Sequence, residues 1–167
     1  MSFLTERLNS SHNREDFFCG KESLDNYLKS QATQDVKRKL SACFVMTTHE
    51  SNLITGYYTL SNNSVALNLI PSIMRDKLPQ SYKNIPATLL GRLAVSIDYQ
   101  RQGAGRLLLF DALSRCYSTS KIIGSFAVIV DPLDKEAVDF YEKYGFIKLP
   151  DNGKMFLPMK TIEQLFF

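Results

Sequence analysis

Between Ser23 and Leu40 the apolar residues Leu24, Tyr27, Leu28, Ala32, Val36 and Leu40 fall three or four positions apart. That spacing draws a single apolar stripe along an amphipathic helix. The pattern then changes period. Ala42 to Met46 and Leu53 to Leu60 are β-rich runs separated by a polar turn at His49 to Asn52, which predicts an antiparallel hairpin, extended by a third short run from Ser64 to Leu69. Residues 70–86 hold Pro71, Pro79 and Pro86 and little periodicity, apart from a short helix predicted over Ser72 to Leu78. An irregular stretch of this length inside a compact domain is often a binding loop. Thr88 to Val95 is almost wholly apolar and reads as a central strand covered on both faces.

Further on, Leu109, Ala112, Leu113 and Cys116 mark the inner face of a second helix, and Phe126 to Val130 reads as another buried strand. Asp134 is placed to cap a third helix that turns Ala137, Phe140, Tyr141 and Tyr144 inward, and Gly145 suits its C-terminal turn. Phe146 to Leu149 and Met155 to Met159 are predicted to close the chain as two strands. The order implies a mixed α/β domain with at least one βαβ crossover. At 167 residues, a single domain over 1–167 is expected.

Composition narrows the chemistry more than it names it. Cys19, Cys43 and Cys116 are odd in number and lack metal-like spacing, and neither histidine lies near a cysteine, so no metal site is expected. Cys43 and Cys116 read as small core residues rather than nucleophiles. No apolar run approaches the roughly 20 residues of a membrane span, and the first residues lack the layout of a secretory signal. The expected location is therefore the cytoplasm. The formal charge of +3 does not by itself argue for nucleic acid, although Lys29, Lys37, Arg38 and Lys39 gather around the first helix.

The most informative stretch is Gln100-Arg101-Gln102-Gly103-Ala104-Gly105-Arg106, standing between a strand and a helix. It has neither the Gly-x-Gly-x-x-Gly of a dinucleotide fold nor the Gly-Lys-Ser/Thr of a P-loop. Small residues at this position either make a tight turn or let a phosphate approach the unpaired amides of the helix start. From the residues alone the two readings stand level.

The longer segment Leu89 to Gly105, with Leu93-Ala94-Val95 ahead of a Tyr-Gln turn and Gly-Ala-Gly, closely resembles the acetyl-CoA motif of the GNAT N-acetyltransferases. Ala137-Val138-Asp139-Phe140-Tyr141-Glu142-Lys143-Tyr144-Gly145-Phe146 is similar to the second signature of that family. The resemblance implies the GNAT fold: a central, mostly antiparallel twisted sheet of six to seven strands with a parallel βαβ splay and flanking helices. It implies acetyl-CoA as co-substrate and no metal. On the same basis the backbone of Leu93, Ala94 and Val95 pairs with the pantetheine arm. Gln100 and Gln102 belong to the coenzyme site, and the amides of Gly103, Ala104, Gly105 and Arg106 cradle the pyrophosphate.

A narrower resemblance runs from about residue 16 to 159. Asp16 to Leu28, Gly56-Tyr57-Tyr58-Thr59-Leu60 and Leu90-Gly91-Arg92-Leu93-Ala94-Val95 are similar to the corresponding stretches of GNAT toxins from bacterial toxin–antitoxin pairs. Those enzymes acetylate the amino acid on charged tRNA and are neutralised by a ribbon-helix-helix antitoxin. The resemblance therefore implies aminoacyl-tRNA and such an antitoxin as partners and leaves room for a homodimer.

Acetyl transfer from a thioester to an amine needs a free-base amine and a proton for the departing thiolate. Tyr141 occupies the position where the family places that proton donor; its alternative role is a core aromatic on an amphipathic helix. No general base stands out. An α-amine next to an ester needs little help, since α-amino groups already titrate near 8 and the ester withdraws electrons. Arg92, inside an apolar strand, requires a partner for its charge: either a nearby carboxylate or the tRNA. Lys29, Lys37 and Arg38 would add general phosphate attraction. Two other functions remain open, a GNAT enzyme acting on a small-molecule or protein amine, and a CoA-binding module without turnover.

Overall fold

A computed structural model describes residues 2–150 and 152–166. In chain order the elements are β1 (Glu6–Arg7), α1 (Glu22–Ser30), α2 (Ala32–Lys37), β2 (Ala42–Thr47), β3 (Ile54–Ala66), α3 (Ser72–Arg75), β4 (Asn84–Val95), α4 (Ala104–Ser120), β5 (Ala127–Val130), α5 (Lys135–Lys143), β6 (Ile147–Lys148), β7 (Met155–Pro158) and α6 (Met159–Phe166). The strands form one sheet in the order β1-β2-β3-β4-β5-β7-β6. β4 and β5 are parallel, Ala87 to Leu90 opposite Ala127 to Val130, while β1–β2, β2–β3, β5–β7 and β6–β7 pair antiparallel. This is the βαβ crossover that the pattern predicts, within the mostly antiparallel sheet that the resemblance implies.

The chain forms two compact units. The first comprises Met1–Ser61 and Gly91–Arg115. Its core gathers Phe17, Leu28, Ile54, Tyr57 and Ala94 from α1, β3, β4 and the segment before α1. Tyr57 meets the edge of the Phe17 ring at 5.5 Å and gives its hydroxyl proton to the Leu24 carbonyl at 2.6 Å, so its polar end is satisfied inside the core. The second unit comprises Asn62–Leu90 and Cys116–Phe167. It packs Val65, Ile70 and Ile85 with Ile129 and Phe156 of the β5–β7 pair.

Four elements depart from expectation. The predicted first helix is two helices, interrupted at Gln31, whose φ of −123° is not helical. The Ser30 hydroxyl donates to the Asn26 carbonyl at 2.6 Å, a back-bond that competes with the helical ladder and bends it. The predicted second and third strands are one continuous β3, in which Asn62 and Asn63 are simply ladder residues. β4 begins at Asn84, with Pro86 inside it accepting from the Phe126 amide at 2.8 Å, a role that does not need the missing N–H. Finally, Met159 ends no strand: it opens helix α6, which buries Met159 and Ile162, three positions apart.

Candidate functional site

The coenzyme candidates lie together at the end of β4 and the start of α4, all in the first unit. Leu107 donates the first helical bond, 3.1 Å to the Gly103 carbonyl, so Gly103 is the N-cap of α4. None of the amides of Gly103, Ala104, Gly105 and Arg106 therefore has a partner within the helix. These are the four orphan donors that every helix start exposes, at the positive end of a 17-residue dipole. Gly103 has φ +83°, and a Cβ built there would meet nothing within 4 Å, so open space faces the loop. Arg101 shares the left-handed region at φ 61°. An anion cradle would need open space of this kind before a helix start. The donor set suits a diphosphate.

Gln100 has a different task from the one its motif implies. Its Nε2 donates to the Cys19 and Val95 carbonyls, both at 2.8 Å. The side chain braces the loop against the segment before α1 and against the end of β4. Gln102 remains exposed, with one bond of 3.2 Å from Nε2 to the Asp98 carbonyl. Leu93 is half-buried, whereas Ala94 and Val95 are buried. The segment before α1 is itself sutured to this strand end: the Ile97 amide donates to the Phe18 carbonyl at 2.8 Å, and the Cys19 amide donates to the buried Asp25 carboxylate at 2.8 Å.

Arg92 does not meet the carboxylate that was one of the two partners foreseen for it. Its guanidinium lies 3.5 Å above the centroid of the Tyr27 ring, a cation–π contact. No described carboxylate pairs with it. Tyr27 in turn donates its hydroxyl proton to Asp35 at 2.9 Å, and burial together with that carboxylate pushes its phenol up to about 12. Lys37 and Arg38 are exposed on and just after α2, and Lys29 is half-buried on α1. All three share the first unit with the loop.

Tyr141 belongs to the second unit. Asp134 caps α5 as expected, its carboxylate accepting from the Ala137 amide at 2.9 Å. At the other end Gly145, at φ +93°, lets Phe146 donate to the Tyr141 carbonyl at 3.1 Å while its own amide reaches Glu142 at 3.0 Å. This is a Schellman closure, and it explains the Gly-Phe pair of the second motif: the last turn, and with it Tyr141, is fixed. The Tyr141 ring is 7% exposed and packs against Phe140 and Phe146. Burial raises its pKa above the ordinary phenol value, so it is protonated at neutral pH. Among the described residues its hydroxyl has no hydrogen-bond partner.

Nothing here suggests a cysteine nucleophile. Cys19, Cys43 and Cys116 are all buried, and burial lifts the Cys19 thiol to about 11 and the Cys43 thiol to about 12. His12 is held by the Asn9 amide and by Glu6. Among the described residues no group of three metal-ligating side chains is found, and no helix is long and apolar enough to cross a membrane. The sequence reading missed one cluster entirely: Asp111, Arg115, Tyr58 and Thr5 form a buried polar network in the first unit. Its only sequence signal is the i, i+4 acid–base pair on α4.

Comparison with known proteins agrees with this geometry. The family described as "Acetyltransferase (GNAT) domain" matches residues 80–162. A "tRNA-acetylating toxin" of Mycobacterium tuberculosis (strain ATCC 25618 / H37Rv) is 34% identical over 160 residues, covering 95% of this chain and 93% of that protein. A structure of AtaT complexed with acetyl-methionyl-tRNAfMet superposes with a TM-score of 0.89 at 31% identity, covering 99% of this chain and 100% of that one. A tyrosine-to-phenylalanine mutant of the AtaT toxin, bound to the C-terminus of the antitoxin AtaR and acetyl-CoA, superposes at 0.81 with 29% identity, covering 97% and 96%. With likeness running over nearly the whole length of both partners, the chain belongs to the GNAT acetyltransferases, in the group of the tRNA-acetylating toxins.

Proposed function

We propose that this protein transfers an acetyl group from acetyl-CoA to the α-amine of aminoacyl-tRNA, and so acts as the translation-blocking toxin of a toxin–antitoxin pair. The observation that carries the reading is the entrance to α4, where amides without intrahelical partners and the open space beside Gly103 suit a diphosphate. Acetyl-CoA, as co-substrate, supplies the activated thioester. Gly103, Ala104, Gly105 and Arg106 hold its pyrophosphate, with Gln102 at the rim. The end of β4, from Leu93 to Val95, receives the pantetheine arm through its backbone. Gln100 acts as a positioning residue that keeps the loop in place.

Tyr141 supplies the proton. Its hydroxyl stays neutral at working pH because burial raises its pKa, and it gives that proton up at Oη to the departing sulfur. The acceptor amine needs no dedicated base, since an aminoacyl ester amine titrates below a free α-amine near 8. Arg92 and the basic residues Lys29, Lys37 and Arg38 serve the tRNA. The Arg92 cation rests on an aromatic ring rather than on a carboxylate, which leaves its charge available to a phosphate. We take residues 1–167 as one catalytic domain, since β3, β4 and α4 each run through both units. Its place is the cytoplasm, where charged tRNA is found, and its partner is an antitoxin.

The test is incubation with radiolabelled acetyl-CoA and total charged tRNA. Label should enter the RNA fraction only when the tRNA is charged, and mild alkaline deacylation should release it as the N-acetyl amino acid. Label on uncharged tRNA, or none on charged tRNA, would sink the proposal.

A further inference from the structure

Two arginines of the first unit rest on aromatic rings, and they differ in what their N–H groups do. Arg115, between the rings of Phe3 at 3.9 Å and Phe44 at 4.0 Å, spends its donors on the protein: Nε on the Tyr58 hydroxyl at 2.9 Å and Nη2 on the Thr5 carbonyl at 3.3 Å. Arg92 is half-buried over Tyr27, and none of the described residues accepts a hydrogen bond from it. We infer that Tyr27 and Asp35 are positioning residues for tRNA binding, holding the Arg92 guanidinium with its donor edge turned outward as a fork for one phosphate. The inference rests on the reading of Arg92 as a tRNA contact and adds what aims it.

Three observations carry it. The first is orientation. The centre of the guanidinium lies 3.5 Å from the centroid of the Tyr27 ring. An edge-on group at that separation would push its nitrogens inside van der Waals contact, so the guanidinium lies across the face of the ring. Its N–H bonds then run in a plane parallel to the ring, away from it at the rim. A planar fork presented in this way matches two oxygens of a phosphate at once, which a lysine cannot do.

The second is rigidity of the platform. Tyr27 is 5% exposed and stacks on Tyr57 at 6.4 Å with 16° between the rings. Tyr57 is fully buried and tied through its hydroxyl to the Leu24 carbonyl at 2.6 Å. Arg92, Tyr27 and Tyr57 thus form one pile whose lower members cannot rotate, and less side-chain freedom remains to be lost when a phosphate arrives.

The third is charge. The Tyr27 hydroxyl donates to Asp35 at 2.9 Å and keeps its proton at working pH, because burial and that carboxylate push its pKa up to about 12. A phenol that donates to an anion has a more electron-rich face, which holds a cation more firmly. Asp35 therefore compensates the Arg92 charge by way of the ring and leaves the guanidinium donors for a ligand. A carboxylate in direct contact would have occupied them.

Steady-state acetylation of total charged tRNA by the full chain tests this, with KM for tRNA, KM for acetyl-CoA and kcat read separately. Arg92→Gln should raise the tRNA KM about tenfold or more, the loss of a charge-assisted bidentate contact. Tyr27→Leu should raise it roughly three- to tenfold, the range of a cation–π contact, with kcat and the KM for acetyl-CoA unchanged. Tyr27→Phe keeps the ring and covers the case in which Tyr27→Leu fails to fold; freeing the tether to Asp35 should raise the tRNA KM roughly two- to threefold. In an Arg92→Gln background neither Tyr27 change should have any further effect, since a positioning residue acts only through the group it positions. Losses that multiply in the double variants overturn the inference, as does a tRNA KM that Arg92→Gln raises and both Tyr27 variants leave alone. A parental tRNA KM in Arg92→Gln itself would instead strike the placement of Arg92 at the tRNA.

Discussion

Tyr58 and Tyr141 are both buried phenols whose pKa burial drives upward, yet the two regions treat them in opposite ways. In the first unit the Tyr58 hydroxyl donates to Asp111 at 2.7 Å, accepts from Arg115 at 2.9 Å and lies 3.2 Å from the Thr5 hydroxyl. In the second, the Tyr141 hydroxyl finds no partner among the described residues. Among the described residues no side-chain oxygen is both buried and without a partner, so the Tyr141 hydroxyl, unlike its enclosed ring, keeps access to the surface. A phenol enclosed in a network holds structure together; a phenol left with its proton uncommitted is available for chemistry.

Removing each hydroxyl separates the two roles. Tyr141→Phe should lower turnover by roughly 10²–10⁴, the span of acid–base groups, with little change in coenzyme affinity; equal loss of both would make the ring structural. In the network the most damaging change is Asp111→Ala, which strands the Arg115 cation, 18% exposed at its side chain, and should cost about 3–5 kcal/mol of stability by denaturant unfolding. Tyr58→Phe removes one member and leaves Asp111 its other donors, so about 1–2 kcal/mol is expected. Tyr141→Phe forfeits no bond and should unfold within about 0.5 kcal/mol of the parent. A stability loss there as large as that of Tyr58→Phe would erase the contrast.

The mildest effect concerns pH. A proton donor works while protonated, and burial raises the Tyr141 pKa, so its loss of function should come above the ordinary phenol value. The profile of kcat/KM should rise as the acceptor amine loses its proton below about 8, then stay level to at least about pH 10. A descending limb centred near 8 or 9 would mean that some other, more acidic group donates the proton.

Much of this was legible in the chain because local rules and tertiary structure agree. The Asp134 cap, the Gly145 turn and the glycine entrance to α4 are signals carried by single residues with one conformational use. What escaped was decided at a distance. Nothing near Asn62 and Asn63 in the sequence announces that β3 runs straight through them, because its ladder partners lie elsewhere in the chain. Arg92 required some partner for its charge, and only the fold reveals Tyr27 beneath it. Gln100 carries the motif of a ligand contact but faces inward, since the segment before α1 arrives within reach of its amide. The network around Asp111 joins residues more than a hundred positions apart, beyond any periodicity.

At Gly56, a Cβ would lie 2.6 Å from Leu108 Cδ1 and 3.2 Å from the Ala94 carbonyl oxygen. A lone hydrogen on β3 therefore works as a shim beneath α4. Thicken it by a methyl group and the buried Leu108 side chain must turn aside, or the helix that carries it must shift. The seat of the helix on the sheet is set, in this sense, from underneath, by a position that carries no side chain at all.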